Sequence, residues 1–500
     1  MNKKHLNIIA GGALITLIGI LISKLFSYFY RLIVSRLGSE NYGLISLAFA
    51  VVGILSIFTS IGLDFGITRY ISYYKNKNDL PRLKGTFFSA FKISFVLSII
   101  FSMILFFSSN FISINLFHNQ NLSILLKVFS LVLIFQSVRK IITETIRAFQ
   151  KINYYVISLN IVEPVVNLLL TLIFIYLGYS LTGISIAYVS AVFISLAISI
   201  YFLEKKVFPI FTSKIASIYE NKELISYSWP LMFSTALARF IVWTDILFLG
   251  FYKTASDVGI YNTAIPTAQL LLIAPTAILN LFVPIITELI AKNNPDEIKG
   301  IYQTTTKWIF FINFPIFLIF IMNSNPILKV LFGSEYSIGF MALIVLSVGY
   351  FINSILFASR YMLDSLKKTK FILLNTIIVT LLNIILNLIL IPKYGILGAA
   401  IATALTISLF GIINWIKVYN INKINVFKLS YVKSIFASII AVVPVYLFLK
   451  ITNLTTFFLS FILSGAIYGF LMWKTKALSK EDGEVLDSLI KFKKVKDIGS

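Results

Sequence analysis

SENYGLISLAFAV (Ser39–Val51) lies over SDVGIYNTAIPTA (Ser256–Ala268), with Gly43 opposite Gly259. The same offset, about 216 positions, recurs farther along the chain. Asn167 falls opposite Asn383 and Asn160 opposite Asn375. TGISIA (Thr182–Ala187) lies opposite LGAAIA (Leu397–Ala402), with Gly183 matching Gly398. Apolar stretches match singly by chance, but a constant offset points to an internal repeat. Six membrane spans separate the copies in the reading below. An even number gives both copies the same orientation, and so a pseudo-two-fold axis along the membrane normal.

The spans follow from composition. Of 500 residues, 58% are hydrophobic and 13% charged, with a mean hydropathy of +0.91; soluble proteins carry roughly 25% charge. Uncharged runs recur, each near the ~20 residues that cross a ~30 Å hydrocarbon core as a helix. They are continuously apolar rather than alternating, which excludes a barrel and leaves helices as the only way to satisfy the backbone in lipid. We place spans at Leu6–Tyr30, Tyr42–Leu63, Thr86–Phe107, Ile124–Ile146, Tyr155–Leu177 and Thr182–Phe202. A second set follows at Ser226–Phe251, Val258–Pro284, Thr304–Met322, Tyr336–Ala358, Phe371–Ile391 and Gly395–Ile416, and a last pair at Ser430–Leu449 and Thr455–Trp473. The expected fold is all-α and integral to the membrane, with about 14 transmembrane helices.

The expected organisation is a six-helix lobe at 1–203, a cytoplasmic linker at 204–225 and a second six-helix lobe at 226–418. Helices 13 and 14 occupy 419–473, and a basic cytoplasmic tail 474–500. The formal net charge is +23. In a soluble protein that suggests nucleic acid, but here the distribution argues otherwise. About 29 Lys and Arg fall on one side of the spans, about 6 on the other and about 8 within them, the positive-inside bias. The rich side includes Lys75, Lys77, Arg82, Lys205, Lys206, Lys367 and Lys368, so both termini are expected in the cytoplasm of a multi-pass protein of the cytoplasmic membrane. A signal peptide is disfavoured, because the first span is long and lacks a small-residue cleavage site. In the tail, Val485, Leu486, Leu489 and Ile490 share one face of an expected surface helix. Cysteine is absent, and no cofactor, metal site or nucleic-acid partner is expected.

At this point the sequence resembles a known family. RLIVSRLGSENYGLISLAFAV (Arg31–Val51), GLDFGITRYIS (Gly62–Ser72) and PKYGILGAAIAT (Pro392–Thr403) are similar to signatures of polysaccharide and lipid-linked oligosaccharide exporters. These belong to the multidrug/oligosaccharidyl-lipid/polysaccharide exporter superfamily. Ser39 stands where that pattern has proline. The resemblance covers most of residues 1–418. It implies a flippase with its path between two lobes and with helices 13 and 14 beside the second lobe. Fourteen spans suit polysaccharide exporters and peptidoglycan-precursor flippases better than twelve-helix multidrug extruders.

Charges inside spans point to where such a path runs, because an ion at mid-bilayer costs about 2.5–3.5 kcal/mol on insertion scales. Lys24, Ser27, Tyr28 and Arg31 form one stripe at i, i+3, i+4 and i+7. Lys140, Thr143, Glu144 and Arg147 repeat that spacing, and Arg139 adjoins them. Asn160, Glu163 and Asn167 share a face beside Pro164, and Asp245 lies about 120° round the helix from Arg239. The candidate substrate-binding residues are Lys24, Arg31, Arg239, Arg139 and Lys140, cations suited to a diphosphate headgroup. Arg31 alternatively snorkels to the interface, and Lys140 with Glu144 alternatively forms a self-neutralising i,i+4 pair. Glu163, Asp245 and Glu144 are candidates for coupling to Na⁺ or H⁺, or for pairing with a nearby Arg. The partners expected are a lipid-linked glycan and membrane lipids. A multidrug or cation antiporter is the alternative, although the first span offers no acid to a cationic drug. A membrane-embedded glycan polymerase or ligase is disfavoured, because no paired-carboxylate, nucleotide-loop or zinc motif is present.

Overall fold

The computed structural model describes residues 3–425, 430–475 and 477. The chain is built from helices in this order: α1 (Lys3–Ser35), α2 (Ser39–Ser60), α3 (Leu63–Asn76), α4 (Leu80–Phe111), α5 (Asn121–Ala148), α6 (Ile152–Val156), α7 (Glu163–Tyr176) and α8 (Leu181–Phe202). There follow α9 (Asn221–Tyr252), α10 (Ala255–Ala268), α11 (Ile273–Ala291), α12 (Pro295–Met322), α13 (Ser324–Leu331), α14 (Phe340–Ser365), α15 (Thr369–Asn422), α16 (Ser430–Phe448) and α17 (Leu454–Lys474). The protein is an all-α membrane protein that crosses the bilayer many times. Among the described residues, twelve helices are long and apolar enough to span it. The apolar surfaces they leave exposed, such as Phe107 and Phe448 (89% exposed), suit lipid and not water. The surface helix expected in the tail lies outside the described residues.

Local chemistry sets the helix breaks. Pro164 has no N–H to give the preceding turn, and Ile157–Val162 widens there into a π-helical segment joining α6 to α7. At Gly395 the backbone takes φ 55° and ψ −127°, interrupting α15. The chain turns back on itself, so that a Cβ on Gly398 would stand 2.3 Å from the carbonyl oxygen of Leu390. Its repeat counterpart Gly183 is packed in the same way, with the β-carbon of Tyr179 2.5 Å from where a Cβ would sit.

Packing divides the chain into two compact units, Met1–Thr263 with Thr376–Ala402, and Ala264–Asn375 with Thr403–Ser500. This division does not follow the lobe boundaries expected near 203 and 226, because α9 packs on α2, α3 and α4. In the first unit, α5 is the hub, packed on α2, α3, α4 and α8. Ile67, Ile71, Phe87, Ile141, Ile146, Leu203 and Leu224 form the core at one end. The segment after α8 is a packed strap. Phe211 presses edge-on against Phe87 and Phe88, Lys84 donates to the Ser213 carbonyl at 2.5 Å, and the Ile218 N–H donates to the Pro81 carbonyl at 3.0 Å. In the second unit, Leu279, Phe282, Tyr302, Met362 and Val418 form a core among α11, α12, α14 and the last turns of α15. There α16 packs on α12 and α17.

Gly395→Ala forces a β-carbon into a backbone conformation reserved for glycine and is expected to cost about 1–3 kcal/mol. Thermal unfolding in detergent, followed by tryptophan fluorescence, checks this; an unchanged midpoint would show that the turn tolerates a side chain.

Candidate functional site

Three bases of α5 are met by acids, two of them from neighbouring elements. Arg139, 4% exposed, is ion-paired with Glu163 of α7 and donates to Ser195 Oγ of α8 at 3.1 Å. Lys140 reaches Asp64, at the start of α3, at 3.0 Å. Arg147 pairs with Glu144 at 2.6 Å, and Thr68 Oγ1 donates to the same carboxylate at 3.0 Å. The helical i,i+4 pairing of Lys140 with Glu144 is thus replaced by two other pairs. Three bases face three acids. Buried ions must be compensated in this way: Arg139 is occupied by Glu163, Lys140 by Asp64 and Glu144 by Arg147.

Two other candidate cations differ. Lys24 on α1 and Arg239 on α9 are exposed side chains, and neither has a carboxylate partner among the described residues. Arg31 is held by neutral groups. Its guanidinium donates to Tyr42 Oη at 3.1 Å and to Asn262 Oδ1 at 3.3 Å. Tyr42 in turn donates to the Asn262 carbonyl at 3.2 Å, and Asn262 Nδ2 donates to Ser46 Oγ at 2.5 Å. Arg31 therefore sits in a polar network joining α1, α2 and α10.

Asp245, 1% exposed, accepts from Tyr261 Oη at 2.6 Å and from Asn387 Nδ2 at 2.7 Å. Asn387 also donates to Asn383 Oδ1 at 3.1 Å, while its own Oδ1 is buried without a hydrogen-bond partner. A carboxylate beside an unused amide oxygen is chemistry that accepts a proton or a small cation. Asn383 carried a signal in the repeat; Tyr261, Asn387, Tyr42 and Asn262 carried none, because polar residues in helices disclose their partners only after folding.

The same unit is tied together at the far end of α2. Tyr74 donates to Glu220, Arg82 Nε lies 2.9 Å from that carboxylate, and Arg69 stacks 4.3 Å over Tyr227. Burial, with Glu220 beside it, pushes the Tyr74 hydroxyl up from its ordinary range.

The sequence pattern of the polysaccharide biosynthesis proteins matches residues 9–290, more than half of the chain, and that of the MatE family matches residues 230–389. A probable low-salt glycan biosynthesis flippase of Haloferax volcanii is 29% identical over 39% of this chain, a match spanning 41% of that relative's length. An uncharacterized membrane protein of Methanocaldococcus jannaschii is 24% identical over 76% of this chain and 78% of its own. Among solved structures, the lipid II flippase MurJ in an inward closed conformation superposes with a TM-score of 0.71 and 16% identity, covering 90% of this chain and 97% of that one. That likeness shows the fold.

Removing Glu163 alone strands a buried guanidinium, so Glu163→Gln is expected to destabilise the protein by about 3–5 kcal/mol. Arg139→Met combined with Glu163→Leu is expected to recover most of that loss and to retain transport. Stable but inactive double-variant protein would restore Arg139 to the cargo path.

Proposed function

The chain belongs to the polysaccharide biosynthesis protein family, and on that premise we propose that it is a flippase. It carries a polyprenyl-(di)phosphate-linked oligosaccharide or polysaccharide precursor across the cytoplasmic membrane by alternating access. The named activity of the Haloferax relative supports this reading. The observation that carries it is the contrast between the three neutralised bases of α5 and Lys24 and Arg239, which have no carboxylate partner among the described residues. These two cations stand 215 positions apart, the same separation as Asn160 and Asn375. They thus fall within one position of each other in the two copies of the repeat, where a two-fold arrangement would set two positive groups around one headgroup. Phosphate is recognised by such groups through charge-assisted hydrogen bonds. The MatE match gives the second reading, export of a small cation, which two like charges on the path oppose.

Fourteen spans are part of the proposal. α15 is taken as two spans, broken at Gly395, and α9 as one beside the twelve helices already counted. Lysine and arginine bias places both termini in the cytoplasm, and the repeat divides the chain into lobes at 1–203 and 226–418 followed by two further helices. Coupling to Na⁺ or H⁺ is assigned to Asp245, supported by its burial and by the unused Asn387 oxygen beside it.

Translocation of a fluorescent polyprenyl-diphosphate sugar in proteoliposomes tests the cargo assignment. Lys24→Ala with Arg239→Ala is expected to slow it by about a hundredfold, roughly one charge-assisted bond per residue; parity with the natural protein would discard the cavity residues. Asp245→Asn is expected to remove any response of the rate to a Na⁺ gradient or to membrane potential. A variant that still responds would move coupling elsewhere.

A further inference from the structure

Where α2 meets α10, two helix backbones touch. A β-carbon on Gly43 would stand 1.7 Å from the carbonyl oxygen of Ala255, and one on Gly259 would stand 2.0 Å from that of Ser39. The contact is reciprocal, each glycine receiving the first turn of the other helix, as equivalent elements do across a two-fold axis. Only glycine allows this approach, and backbone pressed on backbone leaves no passage for water or cargo. Beside the glycines, the hydroxyls of Ser39 and Ser256 lie 2.7 Å apart, and the Tyr42–Asn262–Ser46 bonds cross the same seam. Arg31 reaches into it from α1 and fastens both sides, Tyr42 on α2 and Asn262 on α10.

We propose that Arg31 is the latch of this seam, and that the anionic headgroup of the cargo opens it by taking the guanidinium away from Tyr42 and Asn262. The inference rests on the flippase reading above and assigns it a control step. Both present acceptors of Arg31 are neutral oxygens. A phosphate offers the same guanidinium two charged acceptors in a matching fork, and such bonds are roughly twice as strong. Lys24 lies two turns back on the same face of α1, about 10 Å along the axis. A headgroup held at Lys24 therefore has one step to Arg31. A ligand shifts an equilibrium by its preference for one state. Here the preference arises because the closed seam uses the donors that the phosphate requires. Without cargo the seam stays shut, which limits leakage of ions.

The chain has no cysteine, so Ser39→Cys with Ser256→Cys turns closure into a disulfide yield, read on the full chain in nanodiscs. Geranyl diphosphate is the probe and geraniol its phosphate-free control. Geranyl diphosphate is expected to slow cross-linking by about tenfold, the worth of one charged hydrogen bond, and geraniol not at all. Adding Arg31→Gln is expected to slow cross-linking without probe and to abolish the probe's effect. Asn262→Ala, which leaves the guanidinium in place, is expected to slow cross-linking while probe binding by equilibrium dialysis is kept. A probe effect that survives Arg31→Gln reduces Arg31 to a structural tie and overturns the latch. So does a probe that binds without changing the cross-linking rate, or one that fails to bind. In each case the flippase reading is judged apart, by translocation of the lipid-linked sugar in proteoliposomes with the natural seam.

Discussion

A charge that enters a bilayer must find a partner or water, and this constraint orders the charged interior of the protein. The ion pairs Arg139–Glu163, Lys140–Asp64 and Arg147–Glu144 bind α5 to α7, to the start of α3 and to itself. They contribute little net charge where a raw count along α5 suggests a cationic wall. Of the candidate cations, what remains after neutralisation is Lys24 and Arg239, with Arg31 among neutral acceptors. Breaking one partner of a buried pair costs far more than the pair gains in place. That argues for a structural part for the three paired bases of α5, and it is why Lys24 and Arg239 are the cations proposed for cargo.

A second constraint is steric. Helix backbones can touch only where no side chain intervenes, and Gly43 and Gly259 provide such a surface at the start of α2 and α10. At the opposite end of α2, Gly62 makes a related contact: a Cβ there would lie 2.3 Å from the Ser228 carbonyl oxygen. Both ends of α2 are therefore closed by glycine contacts, and the polar bonds beside Gly43 and Gly259 are individually weak enough to exchange for others.

The membrane fold was legible in the sequence because it rests on a one-dimensional signal, apolar length. Gly43 opposite Gly259 was visible as an alignment, and the structure turned it into a contact. Pairing was not legible. Asp64 sits 76 positions from Lys140 and Glu163 24 positions from Arg139, so no spacing rule could have chosen these partners over the helical neighbour Glu144. The packing division was also hidden, since α9 is sequentially part of the second copy yet lies on α2 and α3.

The repeat is symmetric in what would hold cargo and asymmetric in what would drive and gate it. At the separation that relates Lys24 to Arg239, Asp245 corresponds to Tyr30, a buried hydroxyl, and Arg31 corresponds to the apolar Ile246. A duplicated scaffold begins with identical halves, and two identical halves give a symmetric seam with no means of telling a loaded protein from an empty one. Placing a single guanidinium on one side of the seam and a single buried carboxylate in the other copy separates the two tasks. On the proposed reading, cargo would act on α1 and a coupling ion on α9, and both helices pack on α2. A reading in which all intramembrane charges serve one binding site has no use for this division. One in which cargo and driving ion are sensed by different copies requires it.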